Sequence, residues 1–206
     1  MTRIVVVSAG LSVPSSTRLL ADRLATATTT ALGADETELT VIELRDLAHQ
    51  LTDHLLTGFP PDELAAAIDA VREADGLIVV TPVFSASYSG LFKTFVDVLE
   101  PGLLDGKPVL VAATAGTARH SLVLDHALRP LFSYQRAVVV PTGVFAATDD
   151  FGDTGLQDRI QRAAGELATL AGKVEPTGAA RRRRTVEDEF AEPTPFEELL
   201  RNASRS

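Results

Sequence analysis

The stretch GLIVVTPVFSASYSGLFKTFVDVLE, Gly76–Glu100, decides the fold. Its first six residues are apolar or β-branched without alternation. That pattern predicts a strand covered on both faces rather than one with a wet side. A proline and a run of small hydroxyl and aromatic residues follow, and from Leu91 to Leu99 the spacing becomes helical. A plain strand-to-helix connection needs only about two to six residues and a cap. The composition of Pro82–Ser89 therefore points to a surface shaped to meet something flat.

Runs of the same kind lie at Arg3–Ser8, Glu38–Glu43, Pro108–Thr114 and Ala137–Pro141. Helical patterns fill the intervals at Ser16–Ala31, Asp62–Ala74, Ser121–Phe132 and Leu156–Leu170. Strand and helix alternate five times. This predicts an α/β, doubly wound, five-stranded parallel sheet in the flavodoxin-like order 2-1-3-4-5. Leu44–Pro61 breaks the rhythm and reads as a short helix and loop, either an irregular connection or a lid or partner surface.

The expected organisation is one domain over residues 1–174 and a tail over 175–206. The tail reads as a flexible charged linker with Arg181–Arg184, then a short amphipathic docking segment, Pro195–Asn202. The formal charge of −9 argues against nucleic acid, and the absence of Cys excludes disulfides and thiolate chemistry. No apolar run reaches the roughly 18 residues of a membrane helix. A strand begins at once after Met1 with no signal-peptide pattern, so the expected location is cytoplasmic.

In this strand order the loops after strands 1, 3 and 4 line one crevice. The first, Ser8–Arg18, carries Ser8, Ser12, Ser15, Ser16 and Thr17 at a helix N-terminus, a setting that suits a phosphate. It is neither a P-loop nor a GxGxxG fingerprint. The second carries Pro82, Val83, Phe84, Ser85 and Tyr88, and the third Thr114, Ala115, Gly116 and Thr117, with Arg119 and His120 at its mouth. A phosphate cradle beside two tight backbone loops describes a mononucleotide with a flat ring, most simply FMN.

Ala74–Leu99, Leu104–Phe132 and Gly143–Ala146 resemble the NAD(P)H-dependent FMN reductases. They are similar in detail to the alkanesulfonate-system type, which feeds reduced flavin to a separate monooxygenase. The resemblance implies a flavodoxin-like homodimer or homotetramer using FMN with NADPH or NADH. It sets the phosphate on Ser12, Ser16 and Thr17, with Ser8 and Arg18 at the margin. It sets the ring against Pro82, Val83, Phe84 and Ser85, and against Thr114, Ala115, Gly116 and Thr117. Leu11 and Ser12 stand where many relatives have an arginine, Phe84 where many have tyrosine, and His126 where an aromatic is common.

The cofactors carry the hydride chemistry, so no catalytic acid or base and no metal is expected. Ser121, Asp125 and His120 lack the elbow of a hydrolase, and Lys93 is expected to pair with Asp97. The rivals are a quinone or azo reductase that retains its FMN, and a flavodoxin-type electron carrier. Arg18 and Arg119 are the candidates for a 2′-phosphate.

Overall fold

The computed structural model describes residues 1–172, so the expectations for the tail lie outside the described residues. The element order is β1 (Thr2–Ser8), α1 (Ser16–Leu32), β2 (Thr37–Glu43), α2 (Ala48–Thr57), α3 (Asp62–Glu73) and β3 (Gly76–Phe84). There follow β4 (Ser87–Tyr88), α4 (Gly90–Asp97), β5 (Pro108–Ala115), α5 (Arg129–Tyr134), β6 (Val138–Val139), β7 (Val144–Ala147) and α6 (Thr154–Ala171). The parallel path is β2-β1-β3-β5, and both β6 and β7 then pair with β5. The expected order 2-1-3-4-5 stands, with its fifth strand in two pieces. β6 lies against Pro108–Val109 and β7 against Ala112–Ala115. Pro141, which has no N–H to give a ladder, falls in the gap.

The strands are apolar throughout because helices cover both faces. Ile4 and Val6 face α1 and α6 with Ile78, Val80, Leu110 and Ala112, while Val5 and Val7 face α3, α4 and α5 with Val79, Val109 and Val111. Helix α6 buries Leu156, Ile160, Ala163, Ala164, Leu167 and Ala171, a stripe one helical face wide. On the other layer Phe92 and Phe132 meet edge to face at 6.2 Å between ring centres, both fully buried. Truncating either to alanine removes about 3–5 kcal/mol.

Three expectations change. First, β3 does not stop at Thr81 but continues through Pro82 to Phe84, with Pro82 opposite Thr114. The polar groups of Val80 face β1, because Ala9 N–H donates to the Val80 carbonyl. Pro82, two residues on, presents its missing N–H to the same side, past the end of the β1 ladder at Ser8–Val80. Second, the segment after Phe84 is a hairpin rather than an open loop: β4 returns antiparallel, with Val83 opposite Tyr88 and Phe84 opposite Ser87. Third, Ser121–Phe132 is not one helix. A π turn occupies Leu124–Leu128 before α5 begins. Pro130 offers no N–H to the carbonyl of His126, so a continuous α ladder is broken there.

Candidate functional site

β1, β3 and β5 are adjacent and parallel, so their carboxyl ends form one edge with Ser8, Val80–Pro82 and Ala112–Thr114 at one level. Strand order reverses between β1 and β3, which makes this edge the switch point of the sheet. The three loops singled out in the sequence all start from it.

The first loop is anchored at its root: Ala9 N–H donates to Val80 and Leu44 N–H to the Ser8 carbonyl. It is anchored again at its exit, where the Ser15 hydroxyl caps α1 by accepting from Arg18 N–H at 3.2 Å. The N–H groups of the helix's opening residues, Ser16 and Thr17, have no intrahelical acceptor. Gly10 is required by close approach: a Cβ there would stand 2.2 Å from the Ser15 Oγ. Ser12 and Ser16 are exposed, and the Ser12 hydroxyl donates to the Pro14 carbonyl. Ser8 is fully buried, and its Oγ has no hydrogen-bond partner. Alternation along β1 directs that hydroxyl toward α1, on the face shared with Ile4 and Val6.

An orphaned buried hydroxyl beneath a free helix N-terminus fits a phosphate monoester. The one cation of the loop does not face it. The Arg18 guanidinium is bonded to Asp22 at 2.7 Å and to Glu43. These carboxylates, the hydrogen bond that Arg18 donates to Asp22 foremost, push its pKa up against the effect of burial.

The second loop is rooted by hydroxyls. Thr81 and Ser89 are both buried; Ser89 N–H donates to Thr81 Oγ1 at 3.0 Å, and Ser89 Oγ accepts from Phe92 N–H to cap α4. At the tip, Ser85 and Ala86 hold φ of 50° and 66°. This is the two-residue turn that matches strand twist, made here without glycine or asparagine. Left-handed backbone costs an ordinary L-residue about 1–2 kcal/mol, so the tip is strained. Phe84 is 47% exposed, while Pro82 and Val83 are half-buried behind it. Lys93 is bound to both oxygens of Asp97, at 2.6 and 2.7 Å, as its spacing predicts.

In the third loop Thr114 is buried, Ala115 half-buried, and Gly116 and Thr117 exposed. A Cβ at Gly116 would meet nothing within 4 Å, so the space before it is open. Thr114 Oγ1 lies 2.8 Å from Thr17 Oγ1, which ties this loop to the first beneath the surface. Beyond it, a recess of about 290 Å³ opens between the hairpin tip and the π turn. A second hollow of about 250 Å³ lies between α1 and α6, away from this edge.

All twelve sequence-selected residues therefore sit on one edge, in three modes. Ser12, Ser16, Phe84, Ser85, Gly116 and Thr117 are exposed, Pro82, Val83 and Ala115 are half-buried, and Ser8, Thr17 and Thr114 stand behind them as buried hydroxyls. The hairpin and the Thr81–Ser89 root escaped the sequence reading. A two-residue turn between β-branched and aromatic residues was the available signal, but Ser-Ala is not a turn sequence.

The family model for NADPH-dependent FMN reductases matches residues 2–152. An FMN reductase (NADPH) of Pseudomonas aeruginosa is 42% identical over 175 residues, 82% of this chain and 92% of that one. The NADH-dependent FMN reductase SfnF of Pseudomonas fluorescens is 41% identical with the same coverage of both chains. Among solved structures, an oxidoreductase of Corynebacterium diphtheriae aligns with a TM-score of 0.82 and 52% identity, covering 84% of this chain and 98% of that one.

Proposed function

The chain belongs to the NADPH-dependent FMN reductase family, oxidoreductases that use FMN and NAD(P)H, and on that premise we propose that it treats FMN as an exchangeable substrate and releases it reduced to a separate flavin-dependent monooxygenase. The observation that carries this reading is the state of Arg18. Its guanidinium is committed to Asp22 and Glu43, so the loop Ser8–Arg18 offers a phosphate only hydroxyls and N–H groups. A guanidinium adds a bidentate ion pair to the bonds a phosphate accepts from hydroxyls and N–H groups. A cradle without that ion pair holds its ligand less tightly, and release needs that.

Bound FMN supplies the hydride acceptor of the reaction. On this reading Ser8, Ser12, Ser16 and the N–H groups at the start of α1 hold the phosphate. Pro82–Ser85 form the wall for the ring, and the hairpin root fixes that wall in place before any ligand arrives. The N–H groups of Ala115–Thr117 stabilise the negative charge that reduction brings. Thr17 and Thr114 hold the two loops at a fixed spacing. On this reading no side chain has to move a proton.

The test is turnover of NADPH or NADH by the purified protein with and without added FMN, followed by anaerobic ultrafiltration. Oxidation that saturates with free FMN, with reduced FMN in the filtrate, supports export. Flavin held in the protein fraction through turnover, with activity only toward a quinone or azo acceptor, replaces export with the retained-flavin reading.

A further inference from the structure

Between Thr114 and Val138 the sequence carries three arginines and two histidines against one acid, Asp125, in a chain of net charge −9. Asp125 is bonded to Arg129 at 2.9 Å, and Arg136 lies 3.8 Å from Asp105. Arg119, His120 and His126 make no ion pair among the described residues, and all three are exposed. They converge on the recess of about 290 Å³, which Ala86 and Ser87 of the hairpin and Leu122 close from the other sides. Its wall therefore begins two residues from Phe84, at the edge where a flavin ring is to lie.

We propose that this recess binds a phosphate group of the nicotinamide dinucleotide, with Arg119 as its principal contact and His120 and His126 beside it. The proposal rests on the reductase reading above. A nicotinamide ring that delivers hydride must lie over the flavin, so the rest of its molecule runs outward past the hairpin or past the third loop. The recess lies between the two. It combines an apolar side, from Leu122 and Ala86, with Arg119, a surface cation that no carboxylate of the described residues pairs, and with the imidazole donors of His120 and His126. Elsewhere at this edge the cations are spent: Arg18 on Asp22 and Glu43, Lys93 on Asp97. Against an acidic body, an unpaired arginine also steers an anionic substrate inward.

Two phosphate sources share this chemistry, the 2′-phosphate of NADPH and the diphosphate common to both nucleotides. The two named FMN reductases, similar to this chain at nearly equal identity, divide between NADPH and NADH, so the discrimination lies in local residues such as these. The experiment is steady-state kinetics of wild type, Arg119→Gln and Arg159→Gln at saturating FMN, with each nucleotide. Arg159 is exposed on α6 and controls for loss of one charge elsewhere.

Loss of a charge-assisted bond raises the KM of Arg119→Gln for NADPH by roughly tenfold. The kcat, the KM for FMN and the Arg159→Gln kinetics stay near wild type. A rise confined to NADPH assigns the 2′-phosphate; a rise with both nucleotides assigns the diphosphate. Unchanged KM for both overturns the proposal. Calorimetric titration with ADP-ribose and its 2′-phosphorylated form reads the recess without turnover. If wild type oxidises neither nucleotide yet binds these fragments through Arg119, the reductase reading fails and the phosphate site stands. If neither fragment binds, the site fails whatever the turnover.

Discussion

The hydroxyl of Thr17, in the first turn of α1, lies 2.8 Å from the hydroxyl of Thr114 at the end of β5, although 97 residues separate them. Both are buried, so the bond fixes the spacing between two loops without itself being at the surface. Replacing one partner leaves the other unsatisfied, which costs about 1–3 kcal/mol; replacing both with an apolar group of the same shape is close to neutral. Thr17→Val is therefore expected to lower the urea midpoint, and Thr17→Val with Thr114→Val to recover most of the loss. A loss in the double variant equal to the sum of the two single losses would show that the hydroxyls act independently.

Ser8 makes the opposite case. Its Oγ is buried and without a partner, so Ser8→Ala removes an unsatisfied group and is expected to raise the stability of the ligand-free protein by up to about 1 kcal/mol. The same change raises the KM for FMN. Thermal unfolding and flavin kinetics on one preparation check both signs, and a fall in stability would mean that the hydroxyl serves the fold.

Gly10→Ala drives a Cβ to within 2.2 Å of the Ser15 Oγ. The cap is displaced, at a cost of roughly 1 kcal/mol. Because the same loop forms the cradle, the KM for FMN is expected to rise along with the loss of stability, and a circular-dichroism melt with flavin kinetics shows whether the two move together.

These residues also show how far the chain could be read unaided. The alternation of strands and helices came from apolar runs and helical stripes, which depend on local periodicity alone, and the order 2-1-3-4-5 is the default for five such strands. The edge came from loop composition. What could not be read is whatever a distant partner decides: that Thr17 meets Thr114, that Arg18 turns to Glu43, that Ser89 caps α4 while bonding Thr81. The π turn and the divided fifth strand depend on Pro130 and Pro141 meeting particular neighbours, and a proline's position does not say which carbonyl it deprives.

At the hairpin tip, Ala86→Gly relieves a positive φ and is expected to stabilise the protein by up to about 1 kcal/mol, less the backbone entropy glycine loses on folding. The loosened tip is expected to bind flavin more weakly. Differential scanning calorimetry and the KM for FMN should thus move in opposite directions in functional terms.

Lys107 gives the pH dependence. Its ammonium donates to the carbonyls of Arg72 and Ala74, and burial pulls its pKa below the ordinary 10.5. Between the lowered folded value and 10.5 the unfolded chain holds more protons, so stability rises with pH across that window. Urea unfolding of wild type and Lys107→Met toward pH 10.5 is expected to show wild type gaining on the variant.

The hairpin is built as a cantilever: clamped at Thr81 and Ser89 inside the protein, free at Ser85 and Ala86. Deflection of such a beam is concentrated at its end, so ligands can come and go by bending two residues while the central strand stays still. Amides of Leu77–Val80 should then exchange with solvent only on global unfolding, and those of Ser85–Ser87 orders of magnitude sooner. A weakened clamp adds its own motion to that of the tip, so substitutions at Ser89, buried beneath the surface, are expected to speed release from the site.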